Sequence, residues 1–459
     1  MDADQAAFVE VFRDFLDRIN RLPARPATLT PLGRVVQEHL GTPVQSAPLV
    51  AESIPQHRLV DADIAVEAAS GGAEPIGVTG GQQRHNETLP DLLSHAWTQF
   101  GIGPVDYLEA ATGPTTARQV VAFGLRMFAF EGAPVVVLQR AANRQFGMET
   151  ARLEILSADP ARSGRLLAEL RRLMVERSVL RGRLITFRAA DFGNGQAPGT
   201  EFLDRPHIPE DALILPDGVL DHVTRHVVGV GEHRDELRQA GRHLKRGVLL
   251  YGPPGTGKTH TVRHLLGRTE GVTGVLLTGP AIGFISEATE IARALQPALV
   301  VLEDIDLIAT ERGMYGPQPL LFSVLDALDG MDGDADVTFL MTTNRVELLE
   351  RALVERPGRV DLAVEVPRPD PVLQRRLFRL YARGLALSPE AVDAAADRAA
   401  GTTASFAKEL MRRVVLDAAT EGVPVEDAHL VAALDDLLSD RAALTRSLLG
   451  GSGTDPRGA

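Results

Sequence analysis

One stretch constrains the fold of this 459-residue chain more than any other: Arg246 to Thr261, RGVLLYGPPGTGKTHT. The apolar run Val248 to Tyr251 reads as a buried strand. It leads straight into Gly252-Pro253-Pro254-Gly255-Thr256-Gly257-Lys258-Thr259, which fills every position of GxxxxGK[ST]. A helix is expected to follow. In such a strand, turn and helix the glycines let consecutive backbone N–H groups face inward around a polyphosphate, and the helix start adds its positive dipole end. Lys258 then reaches the β and γ phosphates and the Thr259 hydroxyl a magnesium ion, so the expected phosphate-contact set runs from Gly252 to His260. The bland alternative, a glycine-rich turn that merely joins strand to helix, does not call for all eight positions to be filled.

A chain of this length exceeds the roughly 250 to 300 residues at which single cores stop growing, so two or three domains are expected. Hydrophobic residues make up 44%, and no apolar run approaches the ~20 residues of a membrane span. The acidic start MDADQAAFVE reads as neither a signal nor a transit peptide. The absence of cysteine excludes disulfides and thiolate metal sites and fits a reducing, cytoplasmic setting. A net charge of −13 argues against nonspecific nucleic-acid binding over the whole surface, though a local basic patch survives that argument.

Residues 1–67 read as a helical segment: Phe8, Val9, Phe12, Phe15, Leu16 and Ile19 share one helix face, and Thr30-Pro31 begins a second helix that Gly41 stops. Residues 68–88, rich in glycine and polar side chains, read as a flexible linker or loop. Residues 89–205 read as an α/β domain. Helices are expected around Leu92 to Phe100, over Ala117 to Phe128 and over Ser163 to Arg181, with strands at Val135 to Leu138, Leu153 to Leu156 and Leu184 to Phe187. The long helix carries Arg162, Arg165, Arg171, Arg172, Arg177 and Arg181. A solvated face is the default for such a run, and a surface for nucleic acid or an acidic partner is the alternative. The histidines are scattered without metal-ligand spacing.

Beyond the glycine loop, Val275 to Thr278 and Ala298 to Leu302 read as strands, the second ending in Glu303-Asp304-Ile305-Asp306. Carboxylates at the end of a buried strand beside a phosphate loop are what a magnesium ion and an attacking water require. Leu320 to Gly330 (LLFSVLDALDG) follows, then a strand Val337 to Met341 ending in Thr342-Thr343-Asn344, then Arg356-Pro357-Gly358-Arg359-Val360-Asp361.

This ordered series resembles the AAA group of AAA+ ATPases over about Leu213 to Leu438. The resemblance implies an α/β fold: a P-loop AAA+ large subdomain around a parallel sheet (206–367), a small α-helical lid (368–449), a separate N-terminal α/β domain and a disordered tail (450–459). It implies ATP and Mg²⁺ as cofactors, with Thr259 and, through water, Glu303 on the metal. Asp304 orients the attacking water, and Asn344 is the polar sensor that contacts the γ-phosphate and the attacking water. Arg356 and Arg359 are arginine fingers that reach the nucleotide of the neighbouring subunit in a homo-oligomeric ring, a hexamer by family default. Guanidinium forks bind phosphoryl oxygens bidentately, and such fingers contribute on the order of 10³ to 10⁵ in rate. An internal salt bridge of Arg359 to Asp361 or Glu365 is the alternative.

Three features depart from the family pattern. The acidic pair runs Glu-Asp rather than Asp-Glu, an order similar to that in the AAA group that translocates the mitochondrial Rieske protein, and the roles of Glu303 and Asp304 are assigned by position. The segment Gly279 to Pro297 is short for a pore loop and helix, and its one aromatic, Phe284, is either a gripping residue or a core side chain. One extra residue, Glu355, precedes Arg356.

Asp370-Pro371 and Ser388-Pro389 are cap-then-proline helix starts, Gly401 is a helix stop, and helices are expected to about Leu438. By resemblance Gly401 to Phe406 passes the adenine and ribose, making Ala404 a contact and Lys408 a lesser one, with plain helix capping the alternative for Thr402 and Thr403. The expected activity is ATP hydrolysis coupled to remodelling of an unidentified protein client. A slow nucleotide-driven scaffold or switch is the alternative, and a nucleic-acid remodeller or loader is a further one.

Overall fold

The computed structural model describes residues 11–13, 27–143, 145, 147–188, 199–306, 319–330, 333–347 and 360–439. These fall into two compact units, the first reaching Ser178 without Ala111–Thr116, the second comprising Ala111–Thr116 and everything from Val179 on. Arg356, Arg359 and the expected tail 450–459 lie outside the described residues, as does most of the expected first helix face; of the latter, 11–13 is helical with Phe12 exposed. No helix among the described residues is long and apolar enough to cross a membrane.

The first unit is built from α1 (Pro31–Leu40), β1 (Leu49–Ile54), α2 (Leu59–Ala69), β2 (Asp106–Ala111), β3 (Ala117–Phe130), β4 (Ala133–Arg140), β5 (Ala151–Leu156) and α3 (Pro160–Glu176). Thr30 caps α1 by accepting from the Gly33 N–H, and Gly41 ends it in the left-handed region. The strands form a sheet in the order β1-β5-β4-β3-β2, and Leu32, Val36, Phe100, Phe123, Leu125 and Leu138 share its core.

Four expectations are corrected here. Ala117 to Phe128 is strand, not helix: it forms a hairpin with β4 in which Phe130 faces Ala133 across Glu131 and Gly132, at φ +51 and +75. Two consecutive left-handed residues match the twist of paired strands, and that turn decides the conformation. The helix around Leu92 stops at Leu93, because Ser94–His95 pairs antiparallel with Thr28–Leu29. The glycine-rich stretch is built into the unit: Gly77–Val78 pairs with Ile102–Gly103, Val78 is fully buried, and a Cβ on Gly77 would stand 1.7 Å from the Pro104 carbonyl oxygen. Glycine there permits close backbone approach rather than flexibility. The first 67 residues are not wholly helical, since β1 pairs with β5 through its length.

The second unit holds β6 (Leu184–Arg188), β7 (Gly199–Leu203), β8 (Arg246–Tyr251), α4 (Lys258–Arg268), β9 (Thr273–Thr278), α5 (Ile285–Ala294), β10 (Ala298–Glu303), α6 (Pro319–Asp329), β11 (Val337–Thr343), β12 (Leu362–Glu365), α7 (Pro371–Tyr381), α8 (Pro389–Arg398), α9 (Ala404–Glu421) and α10 (Asp427–Leu438). Its sheet runs β7-β6-β9-β10-β11-β8-β12, parallel throughout except for the outer β7. The strand at Leu184, expected to close the N-terminal α/β domain, therefore extends the phosphate-loop sheet instead. Leu184 and Ile185 face Gly274 and Val275 of β9. Behind β6, the Arg205 guanidinium donates to the Leu266 carbonyl in the last turn of α4 at 2.8 Å, a cation at a helix C-terminus. At the far end of the strands the buried pair Arg246–Asp336 (3.0 Å) ties β8 to the residue before β11.

The helical lid follows the expected caps. Asp370 accepts from the Val372 and Leu373 N–H groups, and Ser388 from that of Ala391. Phe378, Phe406, Leu410, Val414, Leu430 and Leu434 form its core.

Candidate active site

In an open parallel sheet the carboxyl ends of adjacent strands form the natural site. Here β10, β11 and β8 are neighbours, and Tyr251 at the end of β8 faces Thr343 at the end of β11. The loop after β8 turns through Gly252, Gly255 and Gly257 at φ +143, +77 and +111. A Cβ on Gly252 would meet the Val366 carbonyl oxygen at 2.3 Å, and one on Gly255 would meet Ser405 Oγ and Thr403 Oγ1 at 2.8 Å each. The Gly255 carbonyl also accepts from the Ser405 N–H at 3.3 Å, so the first turn of α9 rests on the glycine turn.

Lys258 Nζ donates to the carbonyls of Gly252 and Pro253, both at 2.8 Å. Burial lowers its pKa from 10.5 to about 8, with Asp304 and Asp306 acting in the opposite direction. Burial, and next the charge of Asp304, raises the Glu303 carboxyl, while Arg263 and a hydrogen bond with the Thr259 side chain oppose that shift. Glu303 Oε1 is buried and has no hydrogen-bond partner among the described residues. A buried acceptor left over beside a threonine hydroxyl fits a cation held through water, and Mg²⁺ bound to phosphates needs only one or two such protein ligands.

Asp304 is set apart from Glu303 by its backbone. Its φ is +54, a left-handed conformation that Asp and Asn tolerate better than most residues, and its N–H donates to Thr342 Oγ1 at 2.9 Å. Its Oδ1 accepts from Asn344 Nδ2 at 3.1 Å. Asp306 is buried, and its Oδ1 accepts from Thr343 Oγ1 at 3.1 Å and from the Asn344 N–H at 3.0 Å. The sequence reading singled out Asn344, Asp304 and Glu303; it gave no role to Asp306 or Thr342, whose contacts depend on how two strands distant in sequence are paired.

His260 sits half-buried on α4, its pKa lowered by burial first and then by Lys408, Arg263 and His264. Ala404 is the first residue of α9 and Lys408 lies one turn on, exposed. Thr402 serves the lid itself, donating to the Ala399 carbonyl and accepting from Gln374. A cleft of about 630 Å³ opens between residues 210–221 and α7, with Ile214, Leu215, Gly218, Arg376, Leu380 and Arg383 among its lining. No phosphate-loop residue lines it, but Leu215 lies 4.0 Å from the Cβ position at Gly257.

Phe284 stacks on Phe187 of β6, with centroids 5.1 Å apart and planes 23° from parallel. The Phe284 ring is half-buried, packed on Phe187 rather than enclosed in a core. On α3, Arg165 pairs with Glu131, Arg171 with Glu52, and Arg172 with Glu169 and Glu176. These arginines face carboxylates of their own unit.

The profile of the ATPase family associated with various cellular activities (AAA) matches residues 248–368, from the strand before the glycine turn to just past β12. Similar curated proteins include the probable 26S proteasome regulatory subunit 4 of Caenorhabditis elegans, 33% identical over 172 residues that make up 34% of this chain and 39% of that protein. The 26S proteasome regulatory subunit 6B homolog of Schizosaccharomyces pombe is 39% identical over 173 residues, 34% of this chain and 44% of that one. That of Dictyostelium discoideum is 36% identical over 174 residues, 34% and 42%. The chain thus spans about two fifths of the length of these relatives. With the glycine turn, the acidic strand end and the asparagine that follows β11 brought to one end of a parallel sheet inside the matched segment, the chain carries an AAA-family ATPase domain over residues 248–368.

Proposed function

We propose that this chain binds Mg²⁺-ATP at the glycine turn and hydrolyses it to ADP and phosphate. The observation that carries this reading is the separation of two adjacent carboxylates into different settings: Glu303 beside Thr259, and Asp304 turned left-handed toward Asn344. Thr259 and Glu303 would hold the cation, which when bound offsets charge on the phosphate oxygens. Asp304 accepts the proton of the attacking water, Asn344 orients that water, and Lys258 neutralises phosphate charge. The cleft lined by Ile214, Leu215 and Leu380 adjoins the turn and would take the base.

The relatives named above are regulatory subunits of a proteasome. By analogy we read this chain as one protomer of a ring, lending Arg356 and Arg359 to its neighbour's nucleotide and acting on a protein partner. The Phe187–Phe284 stack supports a mode other than gripping a threaded chain with Phe284. A slow nucleotide switch is favoured by one observation, that the Asp304 carboxylate is short and already engaged by Asn344. Phosphate release by the full-length protein, wild type against Lys258→Ala, tests the ATPase reading: retained turnover in the variant places the site elsewhere. ATP-dependent assembly with near-zero phosphate release would favour the switch.

A further inference from the structure

We infer that Asp306 is the positioning residue of this site, holding Asn344 at the distance from Asp304 that water activation requires. The inference rests on the ATPase reading above. The parallel ladder between β10 and β11 runs from Ala298 opposite Val337 to Leu302 opposite Met341. Just past it the chain leaves extended geometry at Asp304, so regular pairing no longer sets the register of the residues on which the chemistry depends.

Other bonds take over there. The Asp304 N–H donates to Thr342 Oγ1 at 2.9 Å and the Ile305 N–H to the Thr342 carbonyl at 3.0 Å. From the opposite side, Asp306 Oδ1 receives the Thr343 hydroxyl at 3.1 Å and the Asn344 N–H at 3.0 Å. The Thr343 hydroxyl oxygen in turn accepts from the Arg345 N–H at 3.0 Å. Asp306 thus fixes the main chain of Asn344 on both sides, and only then does Asn344 Nδ2 meet Asp304 Oδ1.

Asp306 is 6% exposed, and its charge also reaches Lys258. Two roles are therefore separable. A positioning role depends on where the carboxylate oxygen lies, whereas an electrostatic role toward Lys258 depends on its charge. Asp306→Asn keeps an acceptor oxygen in place and removes the charge. Asp306→Glu keeps the charge and displaces the oxygen by a methylene.

The test is steady-state phosphate release and binding of a fluorescent ATP analogue by full-length wild type, Asp306→Asn, Asp306→Glu, Asn344→Ala and the Asp306→Glu/Asn344→Ala double variant. For Asp306→Glu, kcat falls by roughly 100-fold, the loss expected from a misplacement of about 1 Å, with analogue affinity little changed. Asp306→Asn retains most of the turnover, and the double variant is no slower than Asn344→Ala alone, because both losses act through one side chain. The opposite ranking, with Asp306→Glu active and Asp306→Asn inactive, overturns the inference in favour of a charge effect. Additive losses in the double variant overturn it too. Wild type without turnover sinks the ATPase reading itself; wild-type turnover indifferent to both Asp306 substitutions sinks only the positioning role.

Discussion

The side-chain amide of Asn344 donates to Asp304 Oδ1 at 3.1 Å, joining the residues that follow two neighbouring parallel strands. Asp304 makes this contact from φ +54, so the backbone turn and the side-chain contact are parts of one arrangement.

Asp304→Asn should therefore keep the fold, because Asn tolerates the left-handed region as Asp does, while turnover drops by about 10² to 10⁴, the usual contribution of general acid–base catalysis. Nucleotide should stay bound in single-turnover measurements. Loss of Mg²⁺-dependent binding instead would reverse the roles of Glu303 and Asp304. Asp304→Glu lengthens the carboxylate but costs roughly 1 kcal/mol in the left-handed backbone, read as a lower melting temperature than that of Asp304→Asn.

With its pKa lowered by burial from 10.5 to about 8, the Lys258 ammonium should make nucleotide binding pH-dependent. Between these values the unfolded chain holds a proton the folded chain has released, so the folded state gains stability as pH rises through that window. Binding that needs the charged amine weakens over the same window, by up to about tenfold in Kd per pH unit above 8, and takes up a proton. Calorimetry in buffers of different ionisation heat should detect that uptake. A Kd unchanged from pH 7 to pH 9 would remove Lys258 from phosphate binding.

Subunits carrying Lys258→Ala, mixed with subunits carrying Arg356→Ala, should recover part of the hydrolysis that each lacks alone, since a mixed interface can pair an intact glycine turn with an intact finger. Recovery follows the mixing ratio in a phosphate-release assay. Absence of any recovery, once mixed assembly has been verified, would place Arg356 in its own subunit's site.

Phe187→Ala and Phe284→Ala should each lower stability to denaturant, and together by less than the sum, because the two rings share one contact. A coupling of about 0.5 to 1.5 kcal/mol is expected for a stacked pair. Strictly additive losses would mean that the stack contributes nothing beyond separate burial.

The placement of local motifs was the most legible part of this chain. The phosphate loop and the cap-then-proline helix starts at Thr30, Asp370 and Ser388 depend on residues within a few positions of one another, and they lie where local patterns put them. Ala117 to Phe128 reads as a helix in sequence because Val120, Phe123 and Phe128 suit either a helix face or a broad strand, and the Glu131-Gly132 turn that decides the matter lies just beyond. Leu184 to Phe187 was correctly a strand, but an apolar run does not say which sheet it joins. Asp306 looked like one more acid in a run, because its contacts with Thr343 and Asn344 exist only once β10 and β11 are paired.

The hairpin of β6 and β7 carries a practical consequence for dissecting this protein. The family match begins at Val248, yet a fragment cut there would remove β6, which pairs with β9, together with β7 beyond it, baring the backbone donors and acceptors of β9 to any chain able to pair with them. The smallest well-behaved catalytic piece should begin near Val179, and shorter versions should precipitate or associate edge to edge.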